Sequence, residues 1–322
     1  MAVLTSINEA DATEVLSAYG LGRLHALGGI AGGSVNSNFS LESEAGRFFL
    51  RLYEERDLAG ARQETAMLER LARAGVPTPA PLRRIDGGLV SVSKGKPAAL
   101  FPWRPGRMRC QAGVTAADAW RVGEALARVH VEGTGETCEP GRFGFGGLLL
   151  RLDRVAASDD ANFRDLAFPL RAHLARIHAQ RDPRLPRGLA HGDLFRDNAL
   201  FDAGRLSAVF DYYFAGVDVL LFDIAVCAND WCLVDPDQDR NFDAALIAAF
   251  LADYGAVRPL TAAEREAWPT MLRAAALRFW LSRLHDFHLP RPGELVHAHD
   301  PEHFREILAL RASPDFVAPW VG

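Results

Sequence analysis

No stretch of this chain approaches the roughly 20 consecutive apolar residues that a membrane-spanning helix needs. Its charge leans to neither sign: 36 Lys and Arg against 41 Asp and Glu give a formal net charge of −5. That leaves no general basic field, so nucleic acid is not an expected partner. Cysteine is scarce, and Cys110, Cys138, Cys227 and Cys232 have no C-x-x-C spacing. A chain of this size needs no disulfide framework, and a reducing cytoplasm is the expected setting. The opening Met1-Ala2-Val3-Leu4-Thr5 lacks a basic segment followed by an apolar one, which speaks against a signal peptide. Internal repeats, low-complexity runs and long linkers are also missing. What is present is length and apolar content: 322 residues at 49% apolar can bury a large core, best divided into two lobes.

The densest chemical signal is His191-Gly192-Asp193-Leu194-Phe195-Arg196-Asp197-Asn198, with Asp211 thirteen residues beyond Asn198 at the end of an apolar run. An acid, an amide five residues later and a second acid past a hairpin is how phosphotransferases hold a base and magnesium around ATP. Ala199 to Phe201 and Leu206 to Phe210 read as short strands, and Asp202-Ala203-Gly204 has hairpin turn chemistry. Folding about Gly204 brings Asn198 and Asp211 together, since opposed residues of such a ladder sit roughly 5 Å apart. Magnesium takes oxygen ligands and few from the protein, so one amide oxygen and one carboxylate beside two phosphates suit it. Asp193 is then left to accept the proton of an attacking hydroxyl. The competing reading is that Asp193 and Asp197 merely cap turns.

Along the rest of the chain, residues 8–19 read as a helix, and Phe39 to Leu41 with Phe48 to Tyr53 read as a hairpin around Glu44-Ala45-Gly46. Gln63 to Ala74 has helical apolar spacing and stops at Gly75-Val76-Pro77. Strand-like Leu89 to Ser93 and Ala98 to Phe101 lead into Pro102-Trp103-Arg104-Pro105-Gly106, which reads as a hinge. Beyond it helices are expected over 115–131, 161–180, 219–233, 239–254, 261–288 and 301–311. The sequence therefore predicts an α+β protein with a strand-rich N-lobe (1–101), a hinge (102–106) and a helical C-lobe (107–322).

Gly28 to Asn38 is rich in glycine and polar residues, which lets backbone N–H groups approach phosphate while Ser and Asn add short donors. It matches neither G-x-x-x-x-G-K-[ST] nor a strict G-x-G-x-x-G. Gly32, Gly33, Ser34, Asn36, Ser37 and Asn38 are its candidate nucleotide contacts. Kinase N-lobes usually present a lysine on the third strand, paired with a glutamate on the next helix. Here Arg51 takes that place in Phe48 to Tyr53, with Glu64 as its expected partner. Arginine binds phosphate with a rigid fork where lysine is a point charge.

Gly29 to Phe39, His191 to Asp202, Phe210 to Ala215, Asn229-Asp230-Trp231-Cys232 and Leu277 to Phe287 together resemble bacterial homoserine kinases. The likeness is to the type built on the aminoglycoside phosphotransferase and choline kinase fold, and it runs from about Ile7 to Leu310. It implies a protein-kinase-like two-lobed fold and transfer of the ATP γ-phosphoryl group to the hydroxyl of L-homoserine, a step of threonine synthesis. Carried over by motif, Asp193 is the catalytic base, Asn198 and Asp211 hold Mg2+, and Asp223 anchors the catalytic loop. The backbone at Phe101 and Trp103 matches the hinge that receives adenine. The chain departs from the family at Gly32 and Val35, where acidic residues are common, and at Arg51. Other acceptors within the fold (an aminoglycoside, choline, a sugar) and a nucleotide-binding regulator without catalysis are the alternatives.

Homoserine is a zwitterion, so its pocket should offer a cation and an acceptor. Arg273, Arg278, Arg283 and Asp286 lie on the 270–288 helix, where Arg283 and Asp286 share a face as either a solvated ion-pair stripe or a substrate contact. Arg283 is the first candidate, followed by Tyr212, Tyr213, Asn229 and Asp230, with Tyr212 equally suited to core packing. The histidines between 285 and 303 are interrupted by prolines and joined by no cysteine, so zinc is not expected.

Overall fold

The computed structural model describes residues 4–30, 35–134, 145–288 and 300–320. The chain divides into two compact units that part between Pro105 and Gly106. Among the described residues no helix is long and apolar enough to cross a membrane.

The N-terminal unit opens with α1 (Glu9–Tyr19), started by a capping box in which Asn8 and Asp11 bond each other's backbone N–H and ended by Gly20 at φ 68°. An antiparallel sheet follows, built from β1 (Leu24–Gly29), β2 (Ser37–Ser43), β3 (Gly46–Leu52), β4 (Ser91–Ser93) and β5 (Lys96–Pro102) in the order β1-β2-β3-β5-β4. Between β3 and β4 runs α2 (Leu58–Arg73). Alternation on β3 fixes its faces: Phe48, Leu50 and Leu52 join Val15 and Leu16 of α1 in one core, each worth about 1.5–3 kcal/mol on burial. Arg51, between them, turns to the opposite face. Two boundaries differ from the sequence reading. Gly28 and Gly29 belong to an edge strand paired with Ser40 and Phe39, not to a loop. The α2 helix begins five residues earlier than expected, because Asp57 caps it by accepting the Gly60 N–H at 2.8 Å.

The C-terminal unit is mostly helical, with α3 (Ala116–Glu132), α4 (Phe145–Ala156), α5 (Ala161–Asp165) and α6 (Ala167–Ala179) preceding short strands β6 (Arg187–Ala190), β7 (Ala199–Asp202), β8 (Arg205–Val209) and β9 (Gly216–Val219). Then come α7 (Leu220–Trp231), β10 (Leu233–Asp235), β11 (Asp239–Phe242), α8 (Ala244–Val257), α9 (Ala262–His288) and α10 (Glu302–Ala312). The expected helix over 161–180 is two helices meeting at Leu166, and the one expected over 239–254 starts only after Asp243. Asp243 caps α8 by accepting from the Ala245 and Leu246 N–H groups, while 239–242 pair with β10. A sheet-built unit followed by a helical one is the α+β arrangement that the pattern predicts.

Candidate active site

β6 pairs antiparallel with β9 and delivers the chain to His191. The segment from His191 to Arg196 has almost no regular structure, so its backbone groups need partners from elsewhere. One face of α7 supplies them. Asp223 accepts the His191 N–H at 2.6 Å and the Gly192 N–H at 2.8 Å. Cys227 Sγ and Trp231 Nε1 both donate to the Leu194 carbonyl, at 3.4 and 3.0 Å. Asp230 accepts the Arg196 N–H at 2.9 Å and clamps its guanidinium through both oxygens at 3.1 Å. These positions recur at helical spacing, so a single helix face sets the loop from one end to the other. Burial alone would raise the Asp223 carboxyl, but hydrogen bonds from His130 and Gly192 hold it below the usual carboxylate range.

The hairpin of β7 and β8 turns through Ala203 and Gly204, both at positive φ, as a two-residue loop requires. Its open end joins Asn198 to Phe210, whose N–H donates to the Asn198 carbonyl at 3.1 Å. Asp211 follows at φ 63° and ψ 64°, a left-handed conformation unusual for a residue with a side chain. The Asn198 amide nitrogen donates to the Asp193 carbonyl at 2.7 Å and to its carboxylate at 3.3 Å. That leaves the amide oxygen as the end of Asn198 able to reach a cation. His191 is fixed similarly: the Asp193 N–H donates to Nδ1 at 3.3 Å, so the proton sits on Nε2 and meets the Phe210 carbonyl at 3.1 Å. The Asp193 side chain is 18% exposed and lies 3.4 Å from the Nη1 of buried Arg278. Burial pushes the Asp193 carboxyl up to about 8, opposed by Arg278 and Arg283 and reinforced by Asp211 and Asp197. The arrangement offers a carboxylate with a high proton affinity next to an amide oxygen and a second carboxylate, the donor set a hard divalent cation takes.

The substrate candidates divide. Arg283 donates to the Asp300 carbonyl at 3.3 Å and lies over the Phe304 ring, and Asp193, Asp197 and Asp230 all act on its charge. Tyr212 is buried against the His191 ring at 4.4 Å, and Tyr213 is buried edge-on to Phe214. Two of the candidates are held by other side chains and backbone groups of the protein. Asn229 is fully buried, donates to the Leu272 carbonyl at 2.9 Å and accepts from Arg311 at 3.3 Å, so both ends of its amide serve the core. Asp230 accepts from Arg196 through both oxygens and so braces the loop. Of the cations on the 270–288 helix it is Arg278, not the preferred Arg283, whose guanidinium meets Asp193 and stacks on Phe279. An arginine within an almost wholly apolar helical run was the available signal.

In the N-terminal unit, Arg51 pairs with buried Glu64 at 3.3 Å, and Glu64 also receives Arg56 at 3.0 Å and the Tyr53 hydroxyl at 3.2 Å. The chain's only lysines, Lys94 and Lys96, pair with Asp11 and Glu54, so no lysine replaces Arg51. Asn38 accepts from Arg51 Nε at 3.5 Å, and Asn36 accepts the Glu54 N–H at 3.4 Å. Ser37 is fully buried, and its hydroxyl donates to Glu54 and accepts from the Leu4 and Thr5 N–H groups, so it braces the chain. Phe101 is buried edge-on to Phe49, and the Arg47 guanidinium covers the Trp103 ring at 3.6 Å. Gly32, Gly33 and Ser34 lie outside the described residues.

Comparison with known proteins follows the same lines. The phosphotransferase enzyme family profile matches residues 27–260. A homoserine kinase of Methylobacillus flagellatus is 39% identical over 100% of this chain and 99% of its own. One from Burkholderia mallei is 40% identical over 97% of this chain and 96% of its own. Among solved structures, an amicoumacin kinase in complex with AMP-PNP and Ca2+ superposes with a TM-score of 0.73 at 17% identity, covering 94% of each chain. At that identity the last likeness speaks for the fold alone.

Proposed function

Because the chain belongs to the phosphotransferase enzyme family, and within it to the homoserine kinases, we propose that it transfers the γ-phosphoryl group of ATP to the side-chain hydroxyl of L-homoserine. One observation carries the chemistry: Asp193, with a carboxyl pushed up to about 8, is held by Asn198 and Arg278 beside Asp211. Full-length likeness to homoserine kinases supports the acceptor.

In this reading Asp193 orients the homoserine hydroxyl and takes its proton as the oxygen–phosphorus bond forms and the bond from Pγ to the ADP oxygen breaks. The transition state is loose, so positioning and charge neutralisation supply most of the rate. Asn198, through its amide oxygen, and Asp211 are the residues that would hold Mg2+. Bound there with ATP, the ion would neutralise charge on the β- and γ-phosphate oxygens. In the N-terminal unit Arg51, fixed by Glu64, is the cation proposed for phosphate, and Asn36 and Asn38 brace the strand beside it. Arg283 and Tyr213 remain the residues proposed for the amino acid.

A coupled ADP-release assay with magnesium and ATP tests the reading against L-homoserine, L-serine, L-threonine, choline and kanamycin. Preferential turnover of L-homoserine is expected. Asp193→Ala should cut kcat by about 10²–10⁴ while leaving ATP affinity nearly unchanged. Undiminished turnover in that variant would remove Asp193 from its role, and preference for another acceptor would overturn homoserine.

A further inference from the structure

Behind the catalytic loop runs a chain of buried polar groups that the phosphotransfer step does not use. Asp223, whose carboxylate holds the His191 and Gly192 N–H groups, faces His130 Nε2 of α3 at 3.0 Å. His130 Nδ1 lies 2.6 Å from the hydroxyl of Tyr254 on α8. The same hydroxyl receives Arg258 Nη1 at 3.0 Å, and Arg258 Nη2 reaches Glu264 at 2.7 Å. Glu264 is in turn fixed at the start of α9 by the Thr261 N–H at 2.9 Å. Asp223, His130, Tyr254 and Glu264 are fully buried.

The directions of these bonds can be assigned without seeing a hydrogen. A guanidinium only donates. Tyr254 therefore accepts from Arg258, and its own proton points to its other hydrogen-bonding neighbour among the described residues, Nδ1 of His130. Nδ1 is then an acceptor, and the proton of the neutral ring sits on Nε2, where Asp223 accepts it. The opposite tautomer would leave the Tyr254 proton without an acceptor and set the Nε2 lone pair against a carboxylate oxygen. We propose that Tyr254, oriented by the Arg258–Glu264 pair, is a positioning residue that fixes the tautomer of His130 and so keeps Asp223 aimed at the backbone of the catalytic loop. The close approach that brings the two rings together is written at Gly123, where any β-carbon would collide with the Phe250 carbonyl of α8.

Three measurements test this, and the kinetic ones rest on the phosphotransfer reading. The first does not. Nitrogen-15 spectra of histidine-labelled full-length protein, with His130 identified by its loss in His130→Gln, should show a neutral ring protonated on Nε2. Second, Tyr254→Phe should lower kcat at least tenfold while the KM values for ATP and homoserine move less than about threefold. Third, glutamine at 130 can accept from Tyr254 through its oxygen and donate to Asp223 through its nitrogen. His130→Gln should therefore retain at least tenfold more activity than His130→Leu. A proton on Nδ1, wild-type kcat in folded Tyr254→Phe, or equal activity of the Gln and Leu variants would each overturn the proposal. If Tyr254→Phe does not fold, the tautomer of the unaltered protein decides.

Discussion

Replacing Arg278 with methionine deletes a buried cation 3.4 Å from Asp193 while roughly preserving the volume of the side chain. At that separation, with an effective dielectric constant near 20, the attraction is on the order of 5 kcal/mol before the cost of burying both charges is subtracted. Measured neighbours of this kind move a carboxylate by about one to three pH units. Arg278 pulls against the burial that pushes Asp193 up to about 8. Without it the carboxyl should rise further, by about one to three pH units. At neutral pH the anionic fraction would then drop by roughly 10- to 1,000-fold. The assay is kcat/KM for L-homoserine at saturating ATP and magnesium, from pH 6 to 10. A bound cation lowers the acidic limb in both proteins, so the difference between the two curves is the quantity to read. The limb of Arg278→Met should lie about one to three pH units to the alkaline side, with activity still rising at the top of the range. An unshifted limb on a lower plateau would refute the electrostatic role and leave Arg278 as packing or as a substrate contact.

Gly133, just after α3, has no room for a side chain, because a β-carbon there would strike Leu189 of β6. Gly133→Ala should cost about 1–3 kcal/mol by overpacking and lower Tm by several degrees; an unchanged melting curve would contradict the packing described. Burial, with Arg283 and Arg240 nearby, pushes His303 down to about 4. Below its unfolded value near 6.5 the unfolded chain binds a proton that the folded one refuses, so this group's contribution is lost as pH falls from about 6.5 to 4. The raised carboxyls of Asp193 and Asp218 act with the opposite sign, so the comparison must be His303→Gln against its parent. The variant should lose less Tm between pH 7 and 4.5 than the parent, and an equal loss would remove His303 from the account.

The parts of the site legible in the sequence are those where the chemistry is local. The β7–β8 hairpin, the Asn198 to Asp211 spacing and the place of Asp193 follow from contiguous residues and one turn. The Arg51–Glu64 pair also followed, because it needs only strand alternation and the first turns of the next helix. What failed was long-range. β6 and β9 are four residues each and pair across an intervening hairpin, which no short window reveals. Asn229 and Asp230 lie near Asp211 in sequence, whereas the rotation of α7 turns one into the core and the other to Arg196. Arg278 and Arg283 are five residues apart, hence on different faces of α9, and only the packing of that helix decides which meets Asp193.

The same α7 helix explains how an irregular loop can hold reacting groups in fixed positions. Its two loop-facing carboxylates stand at opposite ends, where the helix dipole treats them differently. Asp223 is in the first turn, where a negative charge is favoured and backbone N–H groups can share it. Asp230 is in the last turn, where the dipole opposes it, and there the loop returns a full guanidinium from Arg196 rather than N–H groups alone. The two apolar-bodied donors between and beyond them, Cys227 and Trp231, converge on the carbonyl of Leu194 and hold it. Asp193 thus sits between residues that are tied on both sides to one rigid element, while its own carboxylate is left to Asn198 and Arg278. The helix beneath the loop fixes the backbone on either side of Asp193, and the groups around its carboxylate come from elsewhere.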